Sequence, residues 1–280
     1  MNGISFGQFY PAASPLHRLD PRTKVIAAVV YIVAAFLCTN AVAFMFLLLT
    51  APVLILLSRI PIRVVLRSIR ALLFIMAFTA VLNIFWVVDT REGIEPLVKF
   101  YFITIYEKGL YHAAFLLIRI VAMVIGTSLF LTYTTSPIAL TDAIEQLLRP
   151  LAKIGVPVHA FAMMMTIALR FIPTIMEETE KIMSAQKARG ADFTTGSLTK
   201  RAKALIPIIV PLFASAFRRA DELATAMECR CYHGGEGRTR LRVLKYHARD
   251  LVAILLLLAF IAGVITLNIL GKRYGWLYTM

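Results

Sequence analysis

Two short arginine-bearing stretches carry the most suggestive chemistry in this chain. Ala185-Gln-Lys-Ala188-Arg189-Gly190 and Ala226-Met-Glu-Cys229-Arg230-Cys231 share one pattern, small, any, any, small, Arg, small, with 41 residues between the arginines. Small flanking side chains let another backbone come close, while a long planar guanidinium can enter an acidic groove and pair there bidentately. A single Lys/Arg-then-Gly is an ordinary helix end, since cations complement the carboxyl-terminal dipole and glycine supplies a left-handed stop. Its repetition in one basic stretch fits a partner with two equivalent grooves, a dimer of related subunits. Cys229, Cys231 and His233 offer a second chemistry, thiolate and imidazole ligands for zinc in a membrane enzyme. Cys-x-Cys-x-His with no fourth ligand nearby is a thin pattern, however, and small residues at a helix end before Gly234-Gly235 account for the same letters. Catalysis finds no constellation: His17, His112, His159 and His247 are scattered, and no Gly-x-x-x-x-Gly-Lys-Ser/Thr loop occurs to cradle ATP phosphates. The expectation is a non-enzyme with no catalytic, cofactor or metal residues of its own, so that any ATP is bound by partner subunits.

The elements that must position the two stretches follow from composition. Of 280 residues 59% are apolar and only 16% charged, too apolar for a soluble globular enzyme, yet 30 Lys or Arg outnumber 16 Asp or Glu for a net charge of +14. The basic residues fall between long uncharged stretches, which favours lipid-facing loops; interleaved acids and apolar stripes argue against a nucleic-acid track. Three cysteines do not make a disulfide scaffold, and Pro, Asp and His within residues 1–24 exclude a cleavable signal peptide. Val25 to Leu57 is charge-free and as one helix would measure about 50 Å against a hydrocarbon core of roughly 30 Å, so it must fold back at Thr39-Asn40. That predicts helices near 24–38 and 41–58, a third span over Ala71–Val88, an outer loop over 89–108, a fourth span over Gly109–Tyr133 and a fifth over Asp250–Leu270. Arg59, Arg63, Arg67 and Arg70 are expected on one helical face, suited to lipid phosphate. Arg119 interrupts the fourth span and is expected to pair with carbonyls or sit beside a wet cavity.

Residues 134–249 contain 17 of the basic residues and apolar runs at 160–169 and 204–217 that are short for a span. They read as helices under the membrane. A first is expected from Ser136-Pro137 or Thr141-Asp142 to Lys153, stopped by Gly155 and Pro157; a second from about Val158 to Arg189, kinked at Pro173; a third from about Leu198 to Arg230. Met163, Met164, Met165 and Met176 suit packing and an adaptable partner contact. With this block and the 59–70 loop on the cytoplasmic side, 24 of 30 basic residues lie there, which puts the amino terminus inside. The expected class is therefore an all-α membrane protein, with about five transmembrane helices plus cytoplasmic coupling helices. Its parts are a membrane region over 1–133, a coupling-helix region over 134–249 and a carboxyl-terminal span and tail over 250–280.

Ser14-Pro-Leu-His-Arg-Leu-Asp20-Pro-Arg-Thr-Lys24, Leu169-Arg-Phe-Ile-Pro173 with Glu177-Glu178, Gln186-Lys-Ala-Arg-Gly190, and Ala226-Met-Glu228 with Gly234-Gly-Glu-Gly-Arg-Thr239 together resemble the transmembrane T component of energy-coupling factor transporters. The resemblance covers essentially the whole chain. It implies a multi-pass plasma-membrane scaffold that joins two ABC-type ATPases, a homo- or heterodimer, to a membrane-embedded substrate-binding S component for vitamin or metal-ion uptake. It also implies that two Ala-Arg-Gly motifs at coupling-helix ends dock into the ATPases. By position these are Ala188, Arg189, Gly190, matching in full, and Cys229, Arg230, Cys231, where only the arginine matches. A Cβ at 231 is expected to strain a left-handed stop by about 1 kcal/mol.

Overall fold

The computed structural model describes residues 9–86, 98–100, 103–191, 193, 197–234 and 244–274. Among the described residues eight helices run in the order α1 (Pro21–Leu37), α2 (Ala41–Ser58), α3 (Ile62–Trp86), α4 (Glu107–Thr127), α5 (Pro137–Leu148), α6 (Val158–Ala188), α7 (Leu198–Glu228) and α8 (Ala248–Tyr274). A π-helical turn, Ser128–Thr132, prolongs α4, and a 3-10 turn, Arg149–Ile154, prolongs α5. Internal contacts divide the chain into two compact units, Met1–Ala143 with Leu244–Met280, and Ile144–Val243.

In the first unit the fold-back falls at Thr39-Asn40 as the sequence requires, and α8 clasps it. Asn268 accepts from the Thr39 backbone N–H at 3.2 Å and donates to the Leu37 carbonyl at 2.7 Å, while Asn40 donates to the Leu267 and Asn268 carbonyls. Arg119 of α4 reaches the same place: its Nη2 donates to the Cys38 carbonyl at 2.9 Å, at the negative end of α1. Carbonyl pairing is thus what this mid-span arginine does. Two close approaches explain glycines, since a Cβ at Gly126 would collide with the Tyr31 ring and one at Gly271 with the Asn40 side chain.

The amino-terminal segment is fastened by polar groups. Ser14 Oγ lies 2.7 Å from His17 Nδ1, and His17 Nε2 lies 2.8 Å from the Tyr10 carbonyl. Asp20 caps α1 by accepting from the Arg22 N–H at 2.9 Å, and Pro21 at the first helical position needs no partner for its nitrogen. Its other partners are the Arg22 guanidinium, at 2.9 Å, and through its own N–H the Asp250 carboxylate, at 2.7 Å. Burial raises the Asp20 pKa, but hydrogen bonds from Arg22 and the Arg22 charge outweigh it and hold the carboxyl below its ordinary value. Lys24, 2% exposed, donates to the Thr134 carbonyl at 2.7 Å and the His17 carbonyl at 3.2 Å. Arg22 also stacks over Tyr246, 3.8 Å from the ring centroid.

Three expectations change. Arg59 is not on the helix of Arg63, Arg67 and Arg70: it closes α2 in the left-handed region, φ 54°, and α3 starts only after Pro61, so the four do not share one face. Helix α6 passes through Pro173 unbroken, and its 31 residues are long and apolar enough to cross a membrane, although its block was expected to hold no such helix. The sequence reading already ran one helix from about Val158 to Arg189; what it missed is that Phe171 to Met176 lengthen the apolar run 160–169 beyond Arg170. The other helices that meet the same criterion are Ala41–Ser58, Gly109–Thr132 and Ala248–Arg273, while Ile62–Arg70 and Leu72–Phe85, bent by 54° at a break, meet it only when taken together. Helix α1, at 17 residues, falls just short. Of the expected outer loop 89–108, only 98–100 and 103–105, an antiparallel pair, and the residues from Tyr106 onward are described; the rest lies outside the described residues.

Candidate functional site

The second unit positions both arginine stretches at helix ends. Among the alternatives for the start of α5, Ser136-Pro137 holds: the Ser136 hydroxyl accepts from the Ala139 N–H, and Gly155, φ 87°, stops the following 3-10 turn. Helix α6 then begins immediately after Pro157 and α7 immediately after Ser197. Both are 31 residues long, α6 ending directly before Arg189 and α7 two residues before Arg230.

The ends are the same backbone device. At α6 the Gly190 N–H donates to the Lys187 carbonyl at 3.0 Å and the Ala191 N–H to the Gln186 carbonyl at 3.0 Å, with Gly190 at φ 85°. At α7 the Cys231 N–H donates to the Glu228 carbonyl at 2.8 Å and the Tyr232 N–H to the Met227 carbonyl at 3.1 Å, with Cys231 at φ 55°. Each is a Schellman closure with the left-handed residue directly after an arginine. Cysteine therefore keeps the left-handed stop at 231, at the steric cost of its Cβ. At 190 an added Cβ would meet nothing within 4 Å, so φ alone asks for glycine there.

Ala188, Arg189, Gly190, Cys229, Arg230 and Cys231 are all exposed. The closures engage the Gln186 and Lys187 carbonyls at one end and the Met227 and Glu228 carbonyls at the other, and each end presents an exposed arginine. Cys229 and Cys231 are free thiols, and no group of three or more His, Cys, Asp or Glu side chains among the described residues is placed to hold a metal ion.

The sequence reading did not foresee what joins the two helices. Arg219 Nη2 donates to Glu178 Oε2 at 2.9 Å, and Arg219 Nε lies 3.5 Å from the Ser215 hydroxyl. A hydrogen bond from Ser215 and then the Arg219 charge lower the Glu178 pKa. Glu178 and Arg219 are themselves 41 residues apart, the spacing of the two tips. Each tip thus lies eleven residues, about 16 Å of helix, beyond the same junction. The repeat interval was a usable signal: it marks equivalent positions along both helices, so an acid at one and a base at the other were candidates to meet.

Toward their amino-terminal halves both helices show apolar side chains outward. On α7 Leu205, Ile206, Ile209, Val210, Phe213 and Phe217 form one exposed stripe, and on α6 Phe161, Met164 and Met165 are exposed. An apolar surface of that extent on helices that also carry charged tips marks an interaction face.

Comparison with known proteins adds the family. Residues 12–241 match the family model CbiQ, described as a cobalt transport protein. A protein from Clostridium kluyveri is 50% identical over 258 residues, 92% of this chain and 94% of its own. One from Thermosediminibacter oceani is 46% identical over 278 residues, 99% of this chain and all of its own. One from Bacillus subtilis is 44% identical over 263 residues, 94% and 97% of the two chains. All three are named energy-coupling factor transporter transmembrane protein EcfT.

Proposed function

The chain belongs to the CbiQ family, among the transmembrane T components of energy-coupling factor transporters, and from that premise we propose that it is the coupling subunit between two ABC-type ATPases and a membrane-embedded S component. The observation that carries this reading is the matched pair of exposed arginine-tipped helix ends set at equal distances from one junction. Equal arms with equal closures suit two equivalent acidic grooves, one on each ATPase of a dimer. Arg189 and Arg230 enter those grooves, and Gly190 and Cys231 keep the tips blunt enough for close approach. ATP binding and hydrolysis belong to the partners. Movement of the ATPases carries the tips, and the Glu178–Arg219 junction passes it along α6 and α7 to their apolar stripes, where Met164, Met165 and Phe213 face the S component.

The excess of basic residues in the same segments supports an orientation with the amino terminus and both tips on the cytoplasmic face of the plasma membrane. The S component chooses the solute, a vitamin or a metal ion. The test is Arg189→Glu with Arg230→Glu in the complete transporter. The double variant is expected to insert in the membrane normally but to lose co-purification with the ATPases and to lose uptake. Undiminished association and uptake would show that the tips do not dock.

A further inference from the structure

In the first unit a groove of about 1060 Å³ runs between α1, α2 and α8, open to the surroundings of the membrane helices. Its composition is graded along its length. At one end stand three arginines from three different elements: Arg18 just before α1, Arg59 just after α2, and Arg249 in the first turn of α8. At the other end an aromatic floor closes it, with Tyr31 and Phe46 both stacked on Phe260 at ring-centroid distances of 5.8 and 5.6 Å. Between the two ends the lining is mostly aliphatic, with Val53 and Leu57 from α2 and Ala253 and Leu256 from α8, and Thr23 and Thr50 are its polar members.

Among the described residues no carboxylate lines the groove. The nearby acids are already engaged, Asp20 by Arg22 and Asp250 by the Asp20 and His247 backbone N–H groups. Arg59 spends one donor on a long contact to the Ala13 carbonyl, 3.4 Å, and all three guanidinium groups are otherwise exposed. The left-handed closure at Arg59 is what separates it from the helix carrying Arg63, Arg67 and Arg70 and turns it to this end of the groove.

The length is informative. From Arg249 to Phe260 is eleven residues of α8, about 16 Å, which matches half of a hydrocarbon core roughly 30 Å thick. All three arginines lie where α2 ends and α1 and α8 begin, at one membrane face. A ligand that fits has one anionic head and an apolar tail one leaflet long. We propose that this groove holds a single anionic phospholipid, its phosphate between Arg18, Arg59 and Arg249 and an acyl chain running along the aliphatic walls to Phe260. The site is separate from the docking tips and stands whether or not they bind ATPases.

The full chain, purified in neutral detergent, is titrated with phosphatidylglycerol or phosphatidylcholine and its lipid adducts are followed by native mass spectrometry. One phosphatidylglycerol is expected to be held about tenfold or more tightly than phosphatidylcholine, since each basic residue at a membrane surface adds appreciably to anionic-lipid attraction. Arg18→Gln, Arg59→Gln and Arg249→Gln together remove that preference, and Ala253→Trp, which fills the groove without touching charge, removes the tightly held molecule. Arg63→Gln, Arg67→Gln and Arg70→Gln together leave it in place. Inorganic phosphate and glycerophosphoglycerol, which has the head but no chains, do not compete. Equal retention of both lipids, survival of the preference in the first triple variant, its equal loss in the second, or displacement by inorganic phosphate would each overturn the assignment.

Discussion

Charge is spent differently in the two units of this molecule. In the first, Lys24, Asp20 and Asp250 are buried; Lys24 and Asp250 are each bonded to a backbone group brought from far along the chain, and Asp20 to the N–H and guanidinium of Arg22. In the second, Arg189 and Arg230 project from closed helix ends with their surfaces exposed. Buried charge without partners is expensive, so the first set is held by structure; an exposed arginine contributes little to stability by itself, and its placement is free to serve a partner. The contrast separates residues that keep the fold from residues free to serve a partner, although Asp20 and Lys24 on one side and Arg189 on the other all belong to the stretches that carry the family resemblance.

Breaking the first half of that contrast should have the largest effect. Lys24→Met removes charge-assisted bonds to the Thr134 and His17 carbonyls and strands both, and is expected to destabilise the chain by about 3 kcal/mol in detergent unfolding. It should do so without changing ATPase affinity in whatever fraction remains folded. Next comes pH. The Asp20 pKa is held below its ordinary value, so its stabilisation is fully present above the ordinary carboxylate range and is lost as pH falls through the lowered folded value. Unfolding temperature should therefore drop on acidification below about pH 4, and Asp20→Asn should flatten that dependence.

The two tips can be sharpened against each other. Gly190→Ala forces a Cβ into φ 85° and should lose about 1 kcal/mol, whereas Cys231→Gly relieves φ 55° and should gain up to about 1 kcal/mol, offset in part by the freer unfolded glycine. Thermal unfolding of the two variants checks the opposite signs. The smallest effect is expected at the junction. Glu178 and Arg219 side chains are 25% and 36% exposed, so Glu178→Gln should cost well under 1 kcal/mol in stability. If the junction transmits motion, uptake should fall more than stability does.

Much of the helix arrangement was legible in the sequence, and particular residues show why. Thr39-Asn40 is the one polar pair in a charge-free run, so α1 and α2 had to divide there. Pro157 and Gly190 mark the limits of α6 because their backbone constraints are local. What escaped depends on partners distant in the chain. Nothing near Lys24 announces a carbonyl at Thr134, and nothing near Asp20 announces Asp250. Arg59 misled for a related reason: the offsets to Arg63, Arg67 and Arg70 fit a helix, but Pro61 interrupts it and the left-handed turn at Arg59 overrides the periodicity. That α6 and α7 end close to Arg189 and Arg230 was legible in the sequence, whereas the left-handed stop kept at Cys231 needed the structure.

The central claim is that the two tips are equal prongs. The direct measurement is the affinity of the ATPase pair for membrane-inserted chain carrying Arg189→Glu alone, Arg230→Glu alone, or both. Comparable losses of about tenfold or more from each single variant, and loss of detectable binding from the double, are what the account predicts. A large loss from one single variant with none from the other would contradict it, because equal arms with the same closure could not then be serving equivalent grooves.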